Sequence, residues 1–210
     1  MRLADLKTTF LGEVDVPAEH RDSVNAARRK TFHSLAPLAA IHSLLNAVVL
    51  TFAFWGHAGM PLVFVWCYTS AVLIFIRMRE ARRPAGQLEA NIEDGRVVRY
   101  TLLSGVLWGG MIAVLIAAST EEHALLLGIF TAAILCVGAL LHSSFPLASL
   151  GYSLAIAAGA AAGMMLGSHH WSFNAALLLG AGVIGLQRFA AANHASDTHR
   201  QLTTAAMQEA

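Results

Sequence analysis

No aspartate, glutamate, lysine or arginine falls inside any of the six long apolar runs of this chain, 34–55, 61–76, 100–118, 124–141, 147–167 and 173–187. An ionisable side chain at mid-membrane is the usual mark of a proton relay or ion path. Its absence argues against a pump or a proton-coupled transporter, and it leaves few groups for acid–base catalysis. Basic residues are missing from most connections as well. All 14 lie before the first run, between the second and third, or at and beyond the end of the sixth. Cysteine is scarce too. Cys67 and Cys136 lie inside runs rather than in loops, which excludes a disulfide framework and leaves them as small buried core residues. No glycine-rich phosphate loop follows a strand, and no Ser-His-Asp or Cys-His frame faces water. The chain is therefore read as not an enzyme. No cleavable signal peptide is expected, because about thirty mostly polar residues precede the first run.

What is present is apolar. Hydrophobic residues make up 56% and charged residues 13%, and the mean hydropathy is +0.58. A spanning helix needs about 20 such residues. The second and sixth runs look short, and Arg77 and Arg188 could lengthen them by snorkelling to the interface. Loops rich in lysine and arginine stay cytoplasmic. The expected fold is an all-α integral membrane protein, a six-helix transmembrane bundle with both termini cytoplasmic. Residues 1–33 form a cytoplasmic amphipathic lead, 34–187 the membrane domain, and 188–210 a cytoplasmic helix. Residues 87–99 could form a short interfacial helix before the third span. The net charge of +1 says little. Glu80, Glu89, Glu93 and Asp94 dilute the arginines, so a nucleic-acid partner is not expected.

The fifth run carries a packing signal. Gly151, Ala155, Gly159, Gly163 and Gly167 recur every four residues and form a groove for a second backbone. Gly105 and Gly109 in the third run, and Gly182 and Gly185 in the sixth, make smaller versions. The groove serves either packing within the bundle or a homodimer.

Histidine is the chemistry-bearing residue. His57, His123, His169 and His170 occupy the three outer turns, with Glu121 and Glu122 beside them. Imidazole and carboxylate together suit a divalent metal, and histidine also titrates near neutral pH. Solvated loop histidines with no shared ligand are the plainer alternative. Within the membrane, His42 and Asn46 share one helix face, and His142 closes the fourth run. Two histidines could ligate haem, but these lie at different depths, so a hydrogen bond between helices suits them better. Trp66 and Trp108 lie deep enough to line a ligand pocket or to pack the core. Asn46, Asn174, Ser104 and Thr131 read as helix–helix hydrogen-bonding groups.

The layout resembles the N-terminal six-helix sensory module of bacterial diguanylate cyclases and cyclic-di-GMP phosphodiesterases that carry GGDEF and EAL domains. The matching features are the lead from Arg21 to Lys30 and the exit Arg77-Met78-Arg79-Glu80-Ala81-Arg82-Arg83. The cluster at Arg96 and Arg99, Trp108-Gly109, and the turn Phe145-Pro146-Leu147-Ala148 match as well. Related modules sit on histidine kinases. The resemblance implies a sensor in a bacterial inner membrane that relays a signal through its last helix to a cytoplasmic effector, with the bilayer and a second copy as partners. No GGDEF or EAL motif occurs in these 210 residues, so no catalytic residue carries over. A small transporter or channel, or a haem- or metal-binding membrane protein, is the alternative. The tail residues Leu186, Phe189, Leu202 and Met207 give only a weak heptad pattern.

Overall fold

The structure is a computed structural model that describes residues 14, 16–56, 60–81, 90–167 and 172–209. It is all helical, with no strand among the described residues. A 3-10 turn at Ala18–His20 leads into seven α-helices. These are α1 (Arg21–Ser34), α2 (Ala36–Ala53), α3 (Met60–Ala81), α4 (Ala90–Ala118), α5 (Glu121–Leu141), α6 (Pro146–Leu166) and α7 (Ser172–Glu209). The expected spans correspond to α2 through α7. Among the described residues, five stretches are long and apolar enough to cross a membrane, Ala18–Ala53, Met60–Glu80, Gly95–Ala118, Glu121–Leu141 and Pro146–Leu166, and α7, the expected sixth span, is not one of them. The chain is a multi-pass membrane protein built as a helical bundle.

Local chemistry sets the breaks. Pro37 lies in the first turn of α2 and has no amide hydrogen for the carbonyl one turn back, so the α1–α2 rod is interrupted at Leu35. Gly56 takes a positive φ of 78° beyond the end of α2, a conformation that side chains resist. Pro146 opens α6, where its missing N–H is harmless.

Two helices differ from expectation. The segment before the third span is not a separate interfacial helix. Residues 90–99 are the first part of α4, which runs unbroken for 29 residues, and 87–89 lie outside the described residues. Extending an existing helix costs less than nucleating a new one, and Gly95 alone weighs against it by about 1 kcal/mol. The α3 helix reaches Ala81, so the second span is not short.

The core lies between α4, α5 and α6, and the most extensive pairing is α4 with α6. A Cβ placed on Gly159 would lie 2.1 Å from the Gly109 carbonyl oxygen, and one on Gly109 would lie 2.3 Å from that of Ala155. Gly163 meets Ala113 in the same way, and Gly105 meets Tyr152. Gly151 touches only the Leu102 side chain. Gly167 caps the end of α6. The close faces of this row thus meet another helix of the same chain. Gly182 and Gly185 were expected to pack similarly and do not. Nothing lies within 4 Å of a Cβ at either. Cys136 is exposed rather than buried, and Cys67 is half-buried beside Thr51.

Candidate functional site

Two neighbourhoods at one end of the bundle hold the unusual chemistry. The first is a cavity where α2, α3 and α4 meet. Its interior volume is small, about 30 Å³, and it opens at a mouth. Ser43 of α2, Ser70 and Arg77 of α3, and Tyr100, Ser104 and Trp108 of α4 give its wall its polar and aromatic groups. Small residues such as Ala36 and Ala39 on α2 keep it open. The Ser70 hydroxyl is buried, with the residue 7% exposed, and has no hydrogen-bond partner. The Arg77 Nε and Nη2 atoms are likewise sealed and unpartnered. Tyr100 donates its hydroxyl hydrogen to the Leu73 carbonyl. Trp66 stacks edge-on against Trp108 with ring centres 4.2 Å apart, and its indole nitrogen also lacks an acceptor.

Arg77 therefore does not snorkel clear of the bundle as expected. Its guanidinium carbon sits 4.5 Å above the Phe32 ring, a contact attractive through the ring quadrupole. Phe32 belongs to α1, and its ring also meets His142 and Phe145. His142 in turn stands edge-on to Tyr152 at 5.0 Å. The arginine on the cavity wall is thus one or two contacts from the turn that closes α5.

The second neighbourhood is a latch between the two ends of the chain. Along α7 the buried positions are Val183, Gln187, Ala190, Ala191, His194 and Thr198. They recur at helical spacing and make one continuous seam. Gln187 donates to the Ser153 hydroxyl at 2.8 Å and to the Ser149 carbonyl at 3.3 Å, tying α7 to α6. Eleven residues further, Arg28 of α1 donates to the Thr198 hydroxyl at 3.0 Å. Burial pushes the His194 imidazole down to about 4, the Arg28 charge pushes the same way, and the Ser143 backbone partly opposes them. His142, buried in the turn after α5, is pushed down to about 3 by burial first and then by Arg77. Both imidazoles are neutral near pH 7.

The remaining candidates fall elsewhere. His42 accepts from the Asn46 amide at 2.9 Å within α2, so that pair is satisfied inside one helix. His142 contacts other rings, and the two histidines occupy different neighbourhoods. Thr131 donates to Leu127 on its own helix, not across to another. The expectation that Asn46 and Thr131 bridge helices is therefore corrected: the second lone pair of the carbonyl one turn back is the nearer acceptor for threonine. Ser104 lines the cavity.

At the opposite end, Glu121 and Glu122 open α5, where the helix dipole favours acids. His123 bonds the Thr120 hydroxyl at 2.9 Å and lies against the Phe54 ring. His57, His169 and His170 lie outside the described residues, as does the side chain of Asn174. Among the described residues, no three His, Cys, Asp or Glu side chains gather closely enough to hold a metal.

Sequence reasoning missed the latch. Its only trace was a stripe of small and polar residues in α7, which the search for an apolar heptad passes over. No protein-family model, curated protein or solved structure matches the chain, so the functional reading rests on its own residues.

Proposed function

We propose that this chain is a sensory input module of a bacterial inner membrane, with both termini cytoplasmic, that relays a change in helix packing through α7 to a cytoplasmic effector. The observation that carries this reading is the course of α7. It is one unbroken helix of 38 residues, about 57 Å long. One end belongs to the bundle, and the other is held by a narrow seam of small and polar residues, with hydrogen bonds to α6 and α1. A shift of α6 at Ser149 and Ser153 acts directly on Gln187 and hence on everything beyond it. A two-state element of this kind needs only a few kcal/mol of bias. The placement of lysine and arginine supports the sidedness. In a homodimer, the exposed residues Leu178, Ile184 and Phe189 are the α7 surface for the second copy.

The test is to fuse a catalytic reporter after α7 and insert one to four residues between them. The expected outcome is activity that rises and falls with helical phase, at a period near four residues. Activity indifferent to phase removes the relay. Reporter tags that place the two termini on opposite faces of the membrane remove the topology on which it depends.

A further inference from the structure

We propose that the cavity between α2, α3 and α4 is a binding site for the oxyanion of an anionic amphiphile, either a fatty carboxylate or a phosphatidate-type phosphate, held by Arg77 and Ser70.

Arg77 carries a permanent charge in a membrane helix, and among the described residues no carboxylate pairs with it. The titratable groups that interact with it electrostatically are Tyr100, Tyr152 and His142. A buried charge without a counterion is costly, and intramembrane charges mark binding sites or pathways. Two donors of the guanidinium, Nε and Nη2, are sealed and unused. Those two nitrogens present parallel N–H groups that match the two oxygens of a carboxylate or phosphate. Ser70, buried on the same wall, supplies a third unused donor. Ser43 and Ser104 are further hydroxyls on the facing helices.

The remainder of the lining selects the ligand's other half. The wall continues in alanine, leucine, isoleucine and the Trp108 ring, which suits hydrocarbon. The interior, about 30 Å³, is room for about two waters, so it takes a small oxyanion head rather than a bulky solute and leaves the chain along the outer helix faces. The surrounding helix faces are lipid-exposed: Leu44, Phe75 and Leu103 are 63%, 69% and 59% exposed. An amphiphile can therefore arrive from the bilayer. This assignment goes beyond the relay reading and does not require it, because binding is read at the cavity and not at the tail.

The experiment places the purified protein in phosphatidylcholine nanodiscs and titrates dibrominated oleate, dibrominated phosphatidate or dibrominated phosphatidylcholine. Bromine quenches nearby indole, and Trp108 lines the site. Saturable quenching by oleate or phosphatidate is expected at a mole fraction roughly tenfold below that of phosphatidylcholine, the discrimination that about one charge-assisted hydrogen bond supplies. The more potent of the two identifies the source. Arg77→Gln should abolish the difference. Ser70→Ala keeps the fold, because it removes a buried hydroxyl that has no partner, and should shift the saturation point by about three- to tenfold. Equal quenching by all three lipids, or preference unchanged in both variants, overturns the proposal.

Discussion

Helices α4 and α6 touch backbone to backbone, whereas α2 and α3 leave open space where they meet α4. The contrast is visible in burial. In the most apolar stretches of α4 and α6, 39% of residues are buried inside the protein, against 17% for α2 and α3. Lipid tails are as apolar as leucine, so membrane helices do not associate by hydrophobicity. They associate by close contact and by hydrogen bonds. The first pair achieves close contact because glycines at Gly105, Gly109, Gly159 and Gly163 remove every atom between the backbones. The second pair carries bulky residues that face lipid, and serine and alanine where the three helices converge. One region is therefore a fixed frame. The other is loosely held and keeps unpaired donors at its centre. A protein that must be both stable and responsive gains from keeping these properties on different helices.

Four changes would break or sharpen that contrast. Gly159→Leu should be the most damaging, because its Cβ alone would fall 2.1 Å from the Gly109 oxygen. A loss of at least about 3 kcal/mol, or failure to fold, is expected. Gly110→Leu one position from the seam has open space and should stay within about 0.5 kcal/mol of the parent. Thermal unfolding in detergent compares them, and equal losses would remove the idea of a frame.

Acidification comes next. The ordinary histidine pKa is 6.5 and the docked value for His194 is about 4. The undocked tail thus binds more protons between those values, so docking is complete above about pH 6.5 and weakens as pH falls toward 4. The neighbouring Arg28 charge adds to this repulsion. Amide exchange in residues 190–200 should accelerate over that window. His142, held even further below the ordinary value at the α5–α6 turn, adds its own response there as pH falls toward 3. His194→Gln should flatten the response of the tail and leave the share of His142.

Gln187→Leu strips two hydrogen bonds from the α6–α7 contact and should cost about 0.6–1.5 kcal/mol. A double-mutant cycle with Ser153→Ala gives the coupling directly, and a value near zero would mean that α7 is held by packing alone. Arg28→Ala is the gentlest. It releases Thr198 and should cost about 1 kcal/mol or less, seen as a wider α1–α7 distance in spin-label measurements with unchanged global unfolding.

The frame was largely legible in the sequence and the site was not. Span positions follow from apolar runs, and breaks at Gly56 and Pro146 follow from local backbone chemistry, whereas the break before Pro37 lay hidden inside the first apolar run. The four-residue spacing of Gly151 to Gly167 announced a close contact, but spacing on one helix does not name the partner. That took the matching Gly105 and Gly109 on α4. The cavity is invisible to any one-dimensional pattern, since Ser43, Ser70 and Ser104 come from three helices and mean little singly. The latch escaped for a related reason. Gln187, His194 and Thr198 are polar, so a reading that equates buried with apolar assigns them to water. Arg77 was read as reaching for the interface, because the long stem allows it; the Phe32 ring offers a nearer contact.

The interruption at Leu35 bears on how the molecule could respond. Pro37 donates no hydrogen bond across that point, while Leu35 N–H still donates to the Thr31 carbonyl and Ala39 N–H to that of Leu35. The junction of α1 and α2 is thus a weakened joint one residue long, the place where lifting Arg28 and Phe32 from their contacts would bend the rod first and leave α2 upright.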